Sequence, residues 1–160
     1  MKSFKRFTMK LPLDSAYHES LEVQPGKPFN YIRNTVSSKK YTKHLQDDPY
    51  KQKIEPHGRY MQHTSDKVDP KITNFEHGEI TFKNPLYIHW GSGGYKDADS
   101  WKNVLHSHYK VTGKSLSKAI RKDGYDAVVT VGHHPSAPHH TSEIVDLTDD
   151  TWNKYYGNKK

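Results

Sequence analysis

Between residues 80 and 147 the hydrophobic period of the chain switches from strand to helix and back, and that succession limits the folds open to it. Ile80, Phe82, Leu86, Ile88 and Trp90 share one parity, while Thr81, Lys83, Tyr87 and His89 take the other. This is the period-2 pattern of a half-buried strand over 80–90. Pro85 has no amide hydrogen to give a ladder, so a bulge, a break or a sheet edge is expected there. Beyond the glycine-rich loop 91–94, Trp101, Val104, Leu105 and Tyr109 fall at helical spacing from Ser100 onward, with Gly113 as the expected end. Leu116, Ala119 and Ile120 repeat the pattern on a short second helix that Ser115 is placed to cap and Gly124 to stop. Residues 125–131, rich in Ala and Val, read as a buried strand. A polar loop over 132–142 then leads into a short last strand at 144–147.

The first half is less regular. Residues 1–28 carry Pro12, Pro25, Gly26 and Pro28 and read as an irregular arm. Residues 29–36 and 58–65 are β-favouring and are expected to be the first two strands. Residues 39–53 are polar with weak helical character, and 66–74 read as a turn-rich loop. The segment 151–160 is a polar, basic tail.

Composition narrows the class. Only 32% of the 160 residues are apolar, so the core must be small, but eleven tyrosines and three tryptophans can cover apolar area while keeping a polar tip wet. One folded domain with long surface loops is the expectation. The formal charge of +7 suits a polyanionic partner or a dinucleotide, although a solvated lysine-rich surface explains it equally simply. The absence of cysteine excludes disulfides, thiolate metal sites and a cysteine nucleophile, and fits a reducing compartment. No apolar run has the length of a membrane span, and the basic N-terminus lacks the apolar stretch of a signal peptide. No membrane association and a cytoplasmic location are therefore expected.

Three short elements stand in a telling order: Tyr31-Ile32-Arg33-Asn34-Thr35 on the first strand, His63-Thr64-Ser65 after Gly58-Arg59-Tyr60, and Glu143 ahead of Ile144-Val145-Asp146-Leu147. With the Gly124-Tyr125-Asp126 opening of the strand before it, this order resembles the ADP-ribosyltransferase superfamily, in particular the small mono-ADP-ribosyltransferase-like domains of bacteria and phages. The resemblance spans about residues 29–147 by eye and is stronger in the C-terminal half. It implies an α+β fold, a single domain over 29–150 with a split mixed or antiparallel sheet flanked by short helices. It also implies NAD as cofactor and a macromolecular acceptor, protein or nucleic acid.

The same resemblance implies roles. Arg33 would hold the NAD pyrophosphate or adjacent ribose through parallel guanidinium donors. Glu143 would stabilise the positive charge that grows on the ribose as nicotinamide departs, or accept the nucleophile's proton. Thr64 and Ser65 would brace that carboxylate, and His63 would line the nicotinamide pocket with them. Tyr60 or Tyr87 would stack on the nicotinamide ring, although by residue type both suit the edge of a core better. Two departures bear on the acceptor: the middle motif begins with His63 where the family usually has Ser, and Thr141 stands where arginine-modifying members carry Glu or Gln. The loop over 132–142 occupies the place that commonly reads the target. Its four histidines form two adjacent pairs separated by prolines, a spacing that suits a polar loop better than a metal site, so no metal is expected. The rival class is a non-enzymatic basic module that binds nucleic acid or a host protein, built on a transferase fold without activity.

Overall fold

The computed structural model describes residues 21–34, 54–65, 75–90, 100–132 and 141–148. The strands are β1 (Phe29–Asn34), β2 (Arg59–His63), β3 (Phe75–Ile80), β4 (Pro85–His89), β5 (Ala127–Val131) and β6 (Thr141–Asp146), and the helices α1 (Ser100–Tyr109) and α2 (Gly113–Lys122) lie between β4 and β5. They form an α+β architecture around one mixed sheet of order β3-β1-β2-β6-β5-β4. Only β4 and β5 run parallel. A parallel pair needs a crossover, and the two helices supply it.

The registers sort the side chains onto two faces. Tyr31 and Arg33 of β1, Met61 of β2, Ile144 of β6, Val129 of β5 and Tyr87 of β4 share one face, by pairings such as Met61↔Ile144 and Val129↔Ile144. That face packs beneath the segment 21–28, through Leu21 and Val23. On the other face Tyr60, Val128, Val145, Leu86 and Ile88 pack against Trp101 and Leu105 of α1 and Leu116 and Ile120 of α2. Each sheet face therefore buries its own apolar cluster, which is how a chain of modest apolar content covers a six-stranded sheet.

The ladder is thinnest between β1 and β2, where pairing is confined to Tyr31↔His63 and Ile32↔Gln62. By contrast β1 and β3 pair along all six of their residues. Gly58 is obligatory at the mouth of β2: a Cβ there would stand 2.5 Å from the Asp146 carbonyl oxygen. The turn after α2 requires Gly124, whose φ is 105°.

Residues 21–28 contain neither helix nor strand, and β1, β2, α1, α2 and β5 lie where composition and periodicity predict them. Four boundaries differ. The alternation over 80–90 is interrupted after Ile80, and Pro85 opens β4 at a sheet edge, where its missing amide hydrogen costs nothing. Gly113 begins α2 instead of ending α1, because Lys110 takes the left-handed conformation (φ 67°) and turns the chain first. Thr112 occupies the N-cap position of α2 with no side-chain hydrogen bond, and Ser115 lies inside the helix, exposed. Finally, β6 begins at Thr141, three residues before the predicted strand, and β3 occupies 75–80, where the sequence reading assigns no element before Ile80. The stretches 39–53, 66–74, 91–94 and 151–160, and the histidines of 133–140, lie outside the described residues.

Candidate functional site

Glu143 is the third residue of β6, inside a register shift between β5 and β6. Val129 pairs with Ile144 and Val131 with Thr141, so Thr130 faces the extra residue. The Thr130 hydroxyl fills this irregularity. It accepts from the Glu143 amide and donates to the Glu143 carbonyl, both at 2.8 Å, and Thr130 is wholly buried. The backbone of Glu143 is thereby held on both sides, while one carboxylate oxygen, Oε1, is covered by protein. The last pair of β2 with β6 is Met61↔Ile144, and Gln62 and Glu143 are the next residues of the two strands.

Around the same end of the sheet lie the residues of the middle motif. The Thr64 amide donates to the Asn30 carbonyl at 3.0 Å, continuing β2 past its last ladder pair, and Ser65 is exposed. His63 points to the other face, where its ring stacks on Phe29 with centroids 6.1 Å apart. Its Nδ1 is 3.6 Å from the Glu22 carboxylate, whose other oxygen accepts from the Thr141 amide at 3.1 Å. Glu22 thus ties the arm to both β2 and the first residue of β6.

Arg33 sits elsewhere. It is buried on the arm-side face, where Nε donates to the Tyr60 carbonyl and NH1 to Glu76 Oε1, each at 3.2 Å. Glu76 also accepts from Tyr31 Oη at 2.7 Å and from Arg59 NH2. Burial works to raise the Glu76 pKa, but the Tyr31 hydrogen bond and the charges of Arg59 and Arg33 outweigh it and hold the carboxyl below its usual range. Arg33 therefore projects from the arm-side face of the sheet. Arg33 is committed to the β1–β2–β3 junction.

The two tyrosines are core members. Tyr87 is 1% exposed and its hydroxyl donates to the Val23 carbonyl, while Tyr60, 6% exposed, donates to the Pro56 carbonyl. Neither ring is available as a stacking surface, because both are spent on joining the sheet to its covering layers. Glu143, Gln62, Thr64 and Ser65 belong to one end of the sheet, and a carboxylate with such polar side chains has the chemistry to meet a ribose diol and a growing positive charge.

Sequence reading missed Gln62, Thr130 and Glu22. Gln62 and Thr130 could have been found by carrying strand parity outward from Glu143. Glu22 lies in a segment without periodicity, and nothing local marks it.

No family model, curated protein or solved structure matches the chain. Among the described residues no helix is long and apolar enough to cross a membrane, and no cluster of three or more metal-ligating side chains occurs.

Proposed function

We propose that the chain is a small mono-ADP-ribosyltransferase-like enzyme that cleaves the nicotinamide–ribose bond of NAD and passes ADP-ribose to a macromolecular acceptor. Glu143 is its acting carboxylate. The observation that carries this reading is the clamp of Thr130 on both backbone polar groups of Glu143 within a centrally placed strand. A carboxylate whose backbone cannot shift is preorganised to face charge as it develops, and such preorganisation needs no reorganisation when the bond breaks. The thin β1/β2 junction supports the split sheet that the resemblance implies. In this reading Gln62, Thr64 and Ser65 orient the sugar, and Arg33 braces the strands without touching NAD.

The test is release of nicotinamide from NAD by the purified chain, alone and with protein or nucleic-acid acceptors, for wild type and Glu143→Gln. Turnover that the substitution lowers by about 10²–10³ supports the assignment. No release with any acceptor, or release by the variant at the wild-type rate, overturns it.

One observation favours a second reading. Arg33 is buried and already engaged by Glu76 and the Tyr60 carbonyl. A fold of this kind without NAD chemistry would act as a binding module through its positive charge. Absence of NAD binding together with salt-sensitive capture of a polyanion would decide for it.

A further inference from the structure

The lysines of α2 are arranged, not scattered. Lys114, Lys118 and Lys122 stand at i, i+4 and i+8 of the helix, which sets them in one row at intervals of about 6 Å. All three are exposed, while Leu116, Ser117 and Ile120 turn the opposite side of the helix inward. Exposed Lys110 precedes the row by four residues. Like charges at this spacing oppose helix formation, and a row of them is ordinarily interleaved with Glu or Asp. Within the helix no acidic residue alternates with them. Of the eighteen acidic residues of the chain, none falls within 100–122. Asp123, the first acid after the row, accepts the Tyr109 hydroxyl at 2.7 Å. Among the described residues no carboxylate forms an ion pair with these lysines.

We propose that this face of α2 is a docking surface for the phosphate backbone of nucleic acid. The row is straight and evenly spaced, which suits a polymer with regularly repeated charge. Lysine, a compact point charge, neutralises phosphate without demanding a fixed orientation. A lipid surface fits less well. The exposed residues of α2 are Lys114, Ser115, Lys118 and Lys122, and an interfacial helix would carry apolar side chains to insert. The surface is separate from the Glu143 site. Both ends of α2 are tied to the far end of the sheet, through His57 N–H to the Gly113 carbonyl and Asn84 Nδ2 to the Gly124 carbonyl. The proposal stands whether or not the chain processes NAD.

The experiment is fluorescence anisotropy of labelled duplex and single-stranded DNA of one length across a salt series, with full-length protein. Three phosphate contacts give a log–log salt slope of about −2.7 on duplex, hence about 40-fold weaker binding at 200 mM than at 50 mM. Lys114→Gln/Lys118→Gln is expected to reduce the magnitude of that slope by about 2 and to weaken binding about tenfold at low salt. The charge-matched control Lys27→Gln/Lys83→Gln, at two exposed lysines on other segments, is expected to change it less than about twofold. Equal losses in both doubles would mean that net charge alone attracts the DNA and would overturn the proposal. So would no binding by wild type, or binding to phosphatidylserine vesicles without binding to DNA. Circular dichroism confirms that both variants are folded.

Discussion

Thr130 Oγ1 bridges the amide and the carbonyl of Glu143, at 2.8 Å to each, across a register shift between adjacent strands. A single buried hydroxyl therefore serves as both donor and acceptor where the ladder between β5 and β6 is interrupted. Its loss would leave two backbone groups of Glu143 to find other partners.

Thr130→Val keeps the shape and removes the hydroxyl. It is expected to cost about 1–3 kcal/mol in urea unfolding and to speed hydrogen exchange of the Glu143 amide. Thr130→Ser restores the hydrogen bonds at the expense of one buried methyl, about 0.8 kcal/mol. Equal exchange at residue 143 in wild type and Thr130→Val would show that the hydroxyl does not hold the strand.

Lys102 and Glu55 form an ion pair with neither side chain more than 1% exposed, Nζ to Oε2 at 2.7 Å. Removing one member strands a charge in the interior, so Lys102→Met is expected to lose about 3–5 kcal/mol. The double change Lys102→Met/Glu55→Leu should recover most of that loss, because the desolvation cost of both ions disappears with them. A double variant as unstable as the sum of the singles would contradict this account.

Glu76 gives the acid limb of stability. Its carboxyl is held below the ordinary range in the folded chain, so its contribution is present above the unfolded value and is lost as pH falls through the folded one. Glu76→Gln should flatten the decline in stability below about pH 4.5. At neutral pH it should cost about 1–3 kcal/mol, since buried Arg33 loses its carboxylate partner. An unchanged acid limb in a pH series of thermal melts would remove Glu76 from this role.

Tyr109 does the same on the alkaline side. Burial first, then the hydrogen bond and charge of Asp123, push its hydroxyl well above the ordinary value of 10.0. A raised folded pKa means stability is complete below the unfolded value and declines as pH rises beyond it. Wild type should therefore lose stability above about pH 10, and Tyr109→Phe should lose less of it over the same interval. Melts of the two proteins from neutral to strongly alkaline pH measure the difference.

The elements with strong periodicity were legible in the sequence. β5 is read correctly because all five of its residues are buried, and α2 because Leu116 and Ile120 mark one side of it. β3 was hidden by its composition. As an edge strand it buries little, and its residues alternate between exposed and half-buried, so no strand is read over 75–79. Glu143 is the third residue of β6 and not its head, and the buried surroundings of Arg33 were not legible. Which face a side chain takes depends on the register of each strand against its neighbour and on the shift opposite Thr130, and both are set by long-range pairing. The tyrosines follow the same logic. A tyrosine at a strand end suits a pocket wall and a core equally, and only the carbonyls of Pro56 and Val23 show where each hydroxyl is spent.

The place of β6 has a consequence for biosynthesis. It follows every other described strand in sequence, yet it lies between β2 and β5. While the ribosome is still upstream of codon 141, β1 with its two neighbours and β4 with β5 can only wait as separate rafts with open flanks. The nascent protein must be shielded from its siblings until the final wedge emerges and welds them together.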